Sequence, residues 1–283
     1  MTVQIDVRPA RADDKSAILA FCQNTFSWGD YIPAVWDRWL GDAGGTMLVG
    51  VVGQQPVGLL RVAFLDDRVA WLEGMRVHPD FRRQGVGTAL DVAARSVVRA
   101  RGCRVERLAT SIKNIAAQRT LATEGYTRIA RFNEWETRPA RRALAATRVA
   151  TPGDAPALME TWRASAVGAA SARLPDRHWH WHMLTRPRLM DQINAGEVRM
   201  ANGGLGFLLA FDEKDWCGLS LQALAGDEET MVALALAARG EARYRGYPHV
   251  EAQLIDHPLL NAALERAGYR RTGGMYIYEQ SLE

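Results

Sequence analysis

The stretch Met75-Arg76-Val77-His78-Pro79-Asp80-Phe81-Arg82-Arg83-Gln84-Gly85-Val86-Gly87-Thr88 decides how this chain is read. Upstream, Val69-Ala70-Trp71-Leu72-Glu73 is rich in apolar and β-forming residues and predicts a strand that runs into it. Downstream, Leu90, Ala94, Val97 and Val98 recur at helical spacing, and Gly102 stands where a helix stops. A strand therefore leads through a turn with arginines and two glycines to a helix N-terminus. Such a turn presents backbone N–H groups, and the helix dipole adds partial positive charge, which together suit a pyrophosphate. Gly85 and Gly87 allow close approach of the phosphates, and Arg82 and Arg83 can reach the outer oxygens. A dinucleotide fold would need Gly-x-Gly-x-x-Gly early in a βαβ unit, which is missing here, and no Gly-Lys-Ser/Thr follows to make a P-loop.

Arg82-Arg83-Gln84-Gly85-Val86-Gly87 after Val77-His78-Pro79 resembles the acetyl-CoA motif of the GNAT superfamily of N-acetyltransferases, Arg/Gln-x-x-Gly-x-Gly/Ala after a strand ending Val-x-Pro. Asn114-x-x-Ala117-x-x-x-Leu121-x-x-x-Gly125-Tyr126 is similar to that family's fourth-helix signature. The chain up to Trp135 reads β-α-α-β-β-β-α-β-α-β, the order the resemblance implies. The expected fold class is α/β, a central mixed, mostly antiparallel sheet flanked by helices.

The second half reads as a worn copy of the first. Thr147 to Leu158 parallels Val7 to Ile18, with Arg148, Ala150, Asp154 and Ala157 on Arg8, Ala10, Asp14 and Ala17. Pro175 to His182 parallels Pro33 to Leu40, placing Trp181 on Trp39, and Leu264 to Tyr269 parallels Leu121 to Tyr126. Three blocks in order argue for duplication. The expectation is two GNAT folds in tandem, residues 1–140 and 141–283. The length of 283 residues also suits two domains. Where the first half has its arginine turn, the copy has Gly226-Asp227-Glu228-Glu229-Thr230, with three acids and no arginine. That turn repels a pyrophosphate. The roles left to the second domain are covering the first, shaping the acceptor side, or forming a homodimer.

The resemblance implies acetyl transfer from acetyl-CoA to a primary amine, a small molecule being favoured. Pantetheine would lie along Met75, Arg76 and Val77. The pyrophosphate would lie on Arg82, Arg83, Gln84, Gly85, Val86, Gly87 and Thr88, with Asn114 on the pantetheine arm or simply capping its helix. Glu73 is the candidate base, since period two puts it on the face of Met75 and Val77 unless a bulge at Gly74 shifts the phase. Its alternatives are binding a cationic acceptor or closing a salt bridge. Trp28, Asp30 and Tyr31 fall where the family covers the acceptor, and aromatics beside an acid suit a cationic amine; packing under a loop is the other reading. The tyrosine that many relatives carry in the fourth helix is Leu121 here, which cannot protonate a thiolate. A non-catalytic acyl-CoA-binding or sensing protein and a protein N-acetyltransferase therefore stand as alternatives.

Composition bounds the rest. The hydrophobic fraction of 48% supports ordinary cores, and the net charge of +3 comes from interspersed acids and bases. The basic clusters at 99–104 and 138–142 lack aromatic interleaving and read as solvated faces, so no nucleic-acid partner is expected. Cys22, Cys103 and Cys217 are scattered, form no Cys-x-x-Cys and suit a reducing cytoplasm. The N-terminus shows no apolar signal region, and the run Met231–Ala238 is far too short to cross a membrane. His178-Trp179-His180-Trp181-His182 has no metal-site pattern around it; its alignment with the second helix makes it an aromatic packing element, and no metal is expected.

Overall fold

In the computed structural model, described for all residues except 1–3, 24, 26–28, 141–146, 171–172, 176–179, 214–215 and 283, local turn chemistry builds the first sheet. β1 (Asp6–Pro9) leads to α1 (Lys15–Cys22) and α2 (Ile32–Leu40), and then to the meander β2 (Gly45–Val52), β3 (Gln55–Phe64) and β4 (Val69–Val77). Val52 pairs with Gln55, so β2 and β3 close through the two-residue turn Gly53-Gln54. The Asp66 carboxylate accepts from the N–H groups of Arg68 and Val69, both at 2.9 Å, and folds the β3–β4 turn. The motif helix α3 (Val86–Ala100) is followed by β5 (Val105–Ser111), α4 (Ile115–Thr123) and β6 (Thr127–Thr137). Each pair β1–β2, β2–β3 and β3–β4 is antiparallel, and β4–β5 is parallel.

Both faces of this sheet are covered. Ile18, Ile32, Trp36 and Trp39 of α1 and α2 bury against Met47, Val49, Val51 and Leu59. On the opposite face, Val86, Leu90, Ala94 and Val98 form the buried stripe of α3, each large aliphatic side chain there contributing about 2 kcal/mol.

The remaining elements are β7 (Arg148–Val149), α5 (Ala155–Ala164), α6 (Ala166–Ala170), β8 (Arg173–Pro175), β9 (Trp181–Met183) and α7 (Arg186–Asn194). They continue with β10 (Val198–Ala201), β11 (Gly204–Glu213), β12 (Trp216–Ala225), α8 (Glu228–Arg245), β13 (Val250–Ile255), α9 (Pro258–Arg266) and β14 (Arg270–Ser281). β7, β10, β11 and β12 pair antiparallel in that order; β12–β13 is parallel and β13–β6 antiparallel. Leu158, Trp162, Leu189, Ile193, Leu205 and Phe207 form a core here.

The chain divides into two compact units, Met1–Ala109 with Arg119–Arg128 and Tyr278–Glu283, and Thr110–Gln118 with Ile129–Ile277. The same Arg-Asp clasp occurs once in each unit, before α1 and before α5. Arg8 grips Asp14 at 2.7 and 2.8 Å while Asp14 accepts from Arg11 N–H at 2.7 Å. Arg148 grips Asp154 at 2.6 and 2.8 Å while Asp154 accepts from Thr151 N–H at 2.8 Å. One block departs from the copy. Where α2 stands in the first unit, the second has the antiparallel pair β8–β9, with Leu174 opposite His182. Trp181 is fully buried there, edge-on to Phe132 at 5.6 Å, so the aromatic packing role is kept without the helix. His178 and Trp179 lie outside the described residues.

Candidate active site

The turn after β4 begins with one 3-10 turn, Pro79–Phe81, and ends at Gly85, whose φ of 91° is left-handed. Arg83 is also left-handed, with φ 60°. Ala89 N–H to the Gly85 carbonyl, 2.9 Å, is the first bond of the α3 ladder. Val86, Gly87 and Thr88 therefore point their N–H groups out of the helix end without an intrahelical acceptor. Arg82, Arg83, Gln84 and Gly85 are exposed around this end. Arg82 Nε donates to the Val77 carbonyl at 3.3 Å, and Gln84 donates to the Asp80 carbonyl at 2.7 Å, which fastens the turn while leaving it open to solvent. The Thr88 hydroxyl donates to Glu124 at 3.2 Å. The result is a cationic cradle of backbone donors, dipole and guanidinium groups suited to phosphates.

β4 leads into this cradle, and its ladder with β5 runs from Val69–Val105 to Leu72–Leu108. Met75 to Val77 lie past the end of that ladder, so the two strands part before them. On the other edge, Leu59 pairs with Arg76 and Arg61 with Glu73, so Gly74 and Met75 together oppose Leu60. This is a bulge, and it needs Gly74, whose φ is +69° and whose missing Cβ would meet the Trp39 ring at 2.7 Å.

The bulge overturns the simple period-two phase. Directly paired residues share a sheet face. Glu73 and Arg76 thus lie with Leu59 and Arg61 toward α1 and α2. Val77 pairs with Gly58, whose Cα faces Val86 and Leu90 of α3. Met75 reaches the cradle side, its sulfur 3.8 Å from where a Cβ on Gly87 would be. Glu73 therefore does not share a face with Met75 and Val77.

Among the described residues, Asp30, Asp42, Arg61, Glu73 and Arg76 meet on the α1–α2 side of β4. Arg76 donates to Asp30 through Nε at 2.7 Å and Nη2 at 2.9 Å, and Ile32 N–H donates to Asp30 at 3.1 Å. Burial by itself raises the Asp30 carboxyl, but these donors outweigh it and hold it below the usual carboxylate range. Arg76 also lies over the Tyr31 ring, 5.1 Å from its centroid, and Tyr31 meets Trp39 edge-on at 6.0 Å. Arg61 binds both Glu73 and Asp42 and stacks over Trp39 at 5.1 Å. Asp30 and Tyr31 are thus gathered beside Glu73, with Asp30 already engaged by Arg76; Trp28 lies outside the described residues. Arg61, Asp42 and Trp39 were missed by sequence reasoning. The available signal was a lone arginine in the apolar run Val57-Gly58-Leu59-Leu60-Arg61-Val62-Ala63-Phe64.

Asn114 accepts from Ala117 N–H at 3.1 Å, the capping geometry anticipated as one of its two roles. Leu121 is buried, as is Tyr126, whose hydroxyl lies 2.7 Å from Glu106 and 2.9 Å from Asp91. Tyr126 is thus a core residue with a polar anchor.

The corresponding helix end in the second unit is closed. The Asp227 side chain accepts from Thr230 N–H at 2.8 Å, and Thr230 is buried against Gly204 and Gly226. Glu228 and Glu229 pair with Arg266 at 2.6 and 2.7 Å. Among the described residues, no group of three or more metal-ligating side chains converges and no helix is long and apolar enough to cross a membrane.

Residues 16–126 match the family model described as Acetyltransferase (GNAT) family. The chain is 44% identical over 62 residues to the aminoglycoside N(6')-acetyltransferase type 1 of Klebsiella aerogenes, a match that spans 22% of this chain and 41% of that relative. Its fold is similar to that of a GCN5-related N-acetyltransferase from Sphaerobacter thermophilus, with a TM-score of 0.70 at 16% identity over 99% of this chain and 96% of the other. It is also similar to a tandem GNAT protein from the clavulanic acid biosynthesis pathway, with a TM-score of 0.60 at 14% identity over 99% of both chains. Residues 16–126, with the exposed α3 N-terminus and the bulged strand inside them, match the acetyltransferase (GNAT) family, in a chain whose fold is similar to that of a tandem GNAT protein.

Proposed function

We propose that this protein is an N-acetyltransferase that moves the acetyl group of acetyl-CoA to a primary amine on a small cationic molecule. The observation that carries the reading is the open α3 N-terminus, where left-handed Gly85, the N–H groups of Val86 to Thr88 and exposed arginines converge behind a parted strand. These residues fit the diphosphate of acetyl-CoA, which supplies the activated acyl group. The pantetheine would run along Met75, Arg76 and Val77, whose backbone can hydrogen-bond it and donate to the thioester oxygen as negative charge grows there. In the reaction a C–N bond forms and the C–S bond breaks. The amine gives up a proton, and the departing sulfur gains one.

Glu73 is assigned as the acceptor of the amine's proton, directly or through water. Leu121 offers no proton for the sulfur, so that proton comes from solvent. The charges facing α1 and α2 support a cationic acceptor. Asp30, Asp42 and Glu73 stand against Arg61 and Arg76, one negative charge in excess among these five. The relative that acts on an aminoglycoside brings polyamine sugars to the head of the acceptor list.

The test is release of free CoA, with mass measurement of the acetylated product, over a panel of primary amines headed by kanamycin. Product with an amine and none without it is expected. Tight acetyl-CoA binding with no turnover on any amine would make the protein a binding module. Transfer confined to protein N-termini would make it a protein acetyltransferase.

A further inference from the structure

Arg61 is a buried, doubly paired charge in the first unit. Its side chain is 5% exposed, and it pairs with Glu73, 11% exposed, and Asp42, 39% exposed. A buried guanidinium costs several kcal/mol unless it is paired, and here the pairing is reinforced by the Trp39 ring. The site is built to receive it. Gly45 has no Cβ, and one added there would lie 2.8 Å from Arg61 Nη2 and 2.7 Å from the Val62 carbonyl. Asp42 is itself fixed by the turn it makes, accepting from Gly44 N–H at 2.8 Å. Arg61 thus ties β3 to α2 through Trp39, to the α2–β2 turn through Asp42, and to the bulged strand through Glu73.

We infer that Arg61 is a positioning residue for the transfer reaction, holding the Glu73 carboxylate in one orientation on the acceptor side of the bulge. The inference rests on the reading of Glu73 as the proton acceptor. Glu73 is the last residue before Gly74, where the strand departs from regular geometry, so the ladder alone fixes its side chain poorly. A two-armed guanidinium restores that definition, and lysine, a single point charge, cannot hold Glu73 and Asp42 together in the same way.

The experiment is a double-mutant cycle on the full chain, using the amine from the kanamycin-headed panel that the parent acetylates fastest. Arg61→Lys should lower kcat by about 10-fold or more and leave the KM for acetyl-CoA unchanged. In the Glu73→Gln background the same substitution should change nothing further, because its effect passes through the carboxylate. Asp42→Asn, at the exposed end of the pair, should act in the same direction with a smaller loss; it decides the matter should Arg61→Lys fail the thermal-melting check for folding. Equal losses in both backgrounds, or no loss in the parent background, would overturn the inference. A Glu73→Gln variant as active as the parent, or a parent inactive on every amine, would instead remove the reading beneath it.

Discussion

Glu73 carries the sharpest chemical claim at the scale of single residues. It stands in an ion pair with Arg61, so both a proton-accepting and a charge-binding role are compatible with its surroundings. Kinetics separate them. For Glu73→Gln, kcat is expected to fall by about 100-fold or more while acetyl-CoA affinity stays unchanged, and the deficit shrinks as pH rises and more amine arrives neutral. A raised amine KM at constant kcat would assign it to binding alone.

A second residue-scale prediction concerns the buried polar cluster under α3. Tyr126 has one hydroxyl proton and two carboxyl neighbours, Asp91 and Glu106. Arg95 is the cation that pairs with both acids, and Glu124 adds a further acid nearby. Both hydroxyl contacts are satisfied when one carboxyl keeps its proton. Burial raises Asp91 and Glu106 above the ordinary carboxyl range, against the pull of Tyr126 and Arg95. The folded chain then holds a proton that the unfolded chain has lost. The stabilisation is complete below the unfolded carboxyl values and is lost as pH rises through the folded ones. Melting temperature should fall over that interval in the parent, and Glu106→Gln, which cannot ionise, should flatten the fall. Parallel curves for the two proteins would show that the cluster holds no extra proton.

These residues mark where the sequence was legible and where it was not. Gly85, Gly87 and the two arginines announce themselves because their chemistry is local to one turn. Arg61, Asp42 and Glu106 do not, because a buried charge finds its partners across strands, and pairing across strands is decided by register. The bulge at Gly74 is the clearest case. The glycine was visible, but only the register with β3 shows that Glu73 turns to the Arg76 face.

Among the elements, the N-termini of α3 and α8 have opposite chemistry. α3 begins with a left-handed glycine and exposed arginines, whereas α8 begins with Asp227 accepting from its own Thr230. Hydrogen bonds from Thr230 hold the Asp227 carboxyl below its usual range, as a helix cap should. Asp227→Ala is therefore expected to lower the melting temperature and leave acetyl-CoA affinity as it was, measured by calorimetry on the same preparation. A rise in stability would contradict the capping assignment. The copied blocks were legible wherever they encode a local device, such as the Arg-Asp clasps before α1 and α5. The Leu121–Tyr126 and Leu264–Tyr269 corners repeat as well, each closing through an N–H to carbonyl bond of 2.9 Å. The block around Trp181 buries its aromatic from a strand where α2 uses a helix, because burial of an aromatic does not by itself choose between helix and strand.

For the molecule as a whole, the chain forms two compact units and the proposed chemistry is assigned to one of them. The acids at the α8 end carry charge that repels a phosphate, and the Asp227 side chain occupies the Thr230 N–H there. Such asymmetry predicts one donor molecule per chain. Gly87 offers the control, because a Cβ there meets its nearest neighbour at 3.8 Å and its backbone is not left-handed, so a larger residue fills the cradle without straining the fold. Calorimetric titration of acetyl-CoA into the full chain and into Gly87→Leu reads both the number of sites and the part the α3 N-terminus plays in them. One site per chain in the parent is expected, with affinity lost by about 2 kcal/mol or more in a variant that melts where the parent does. Two sites per chain, or undiminished affinity in Gly87→Leu, would contradict the account.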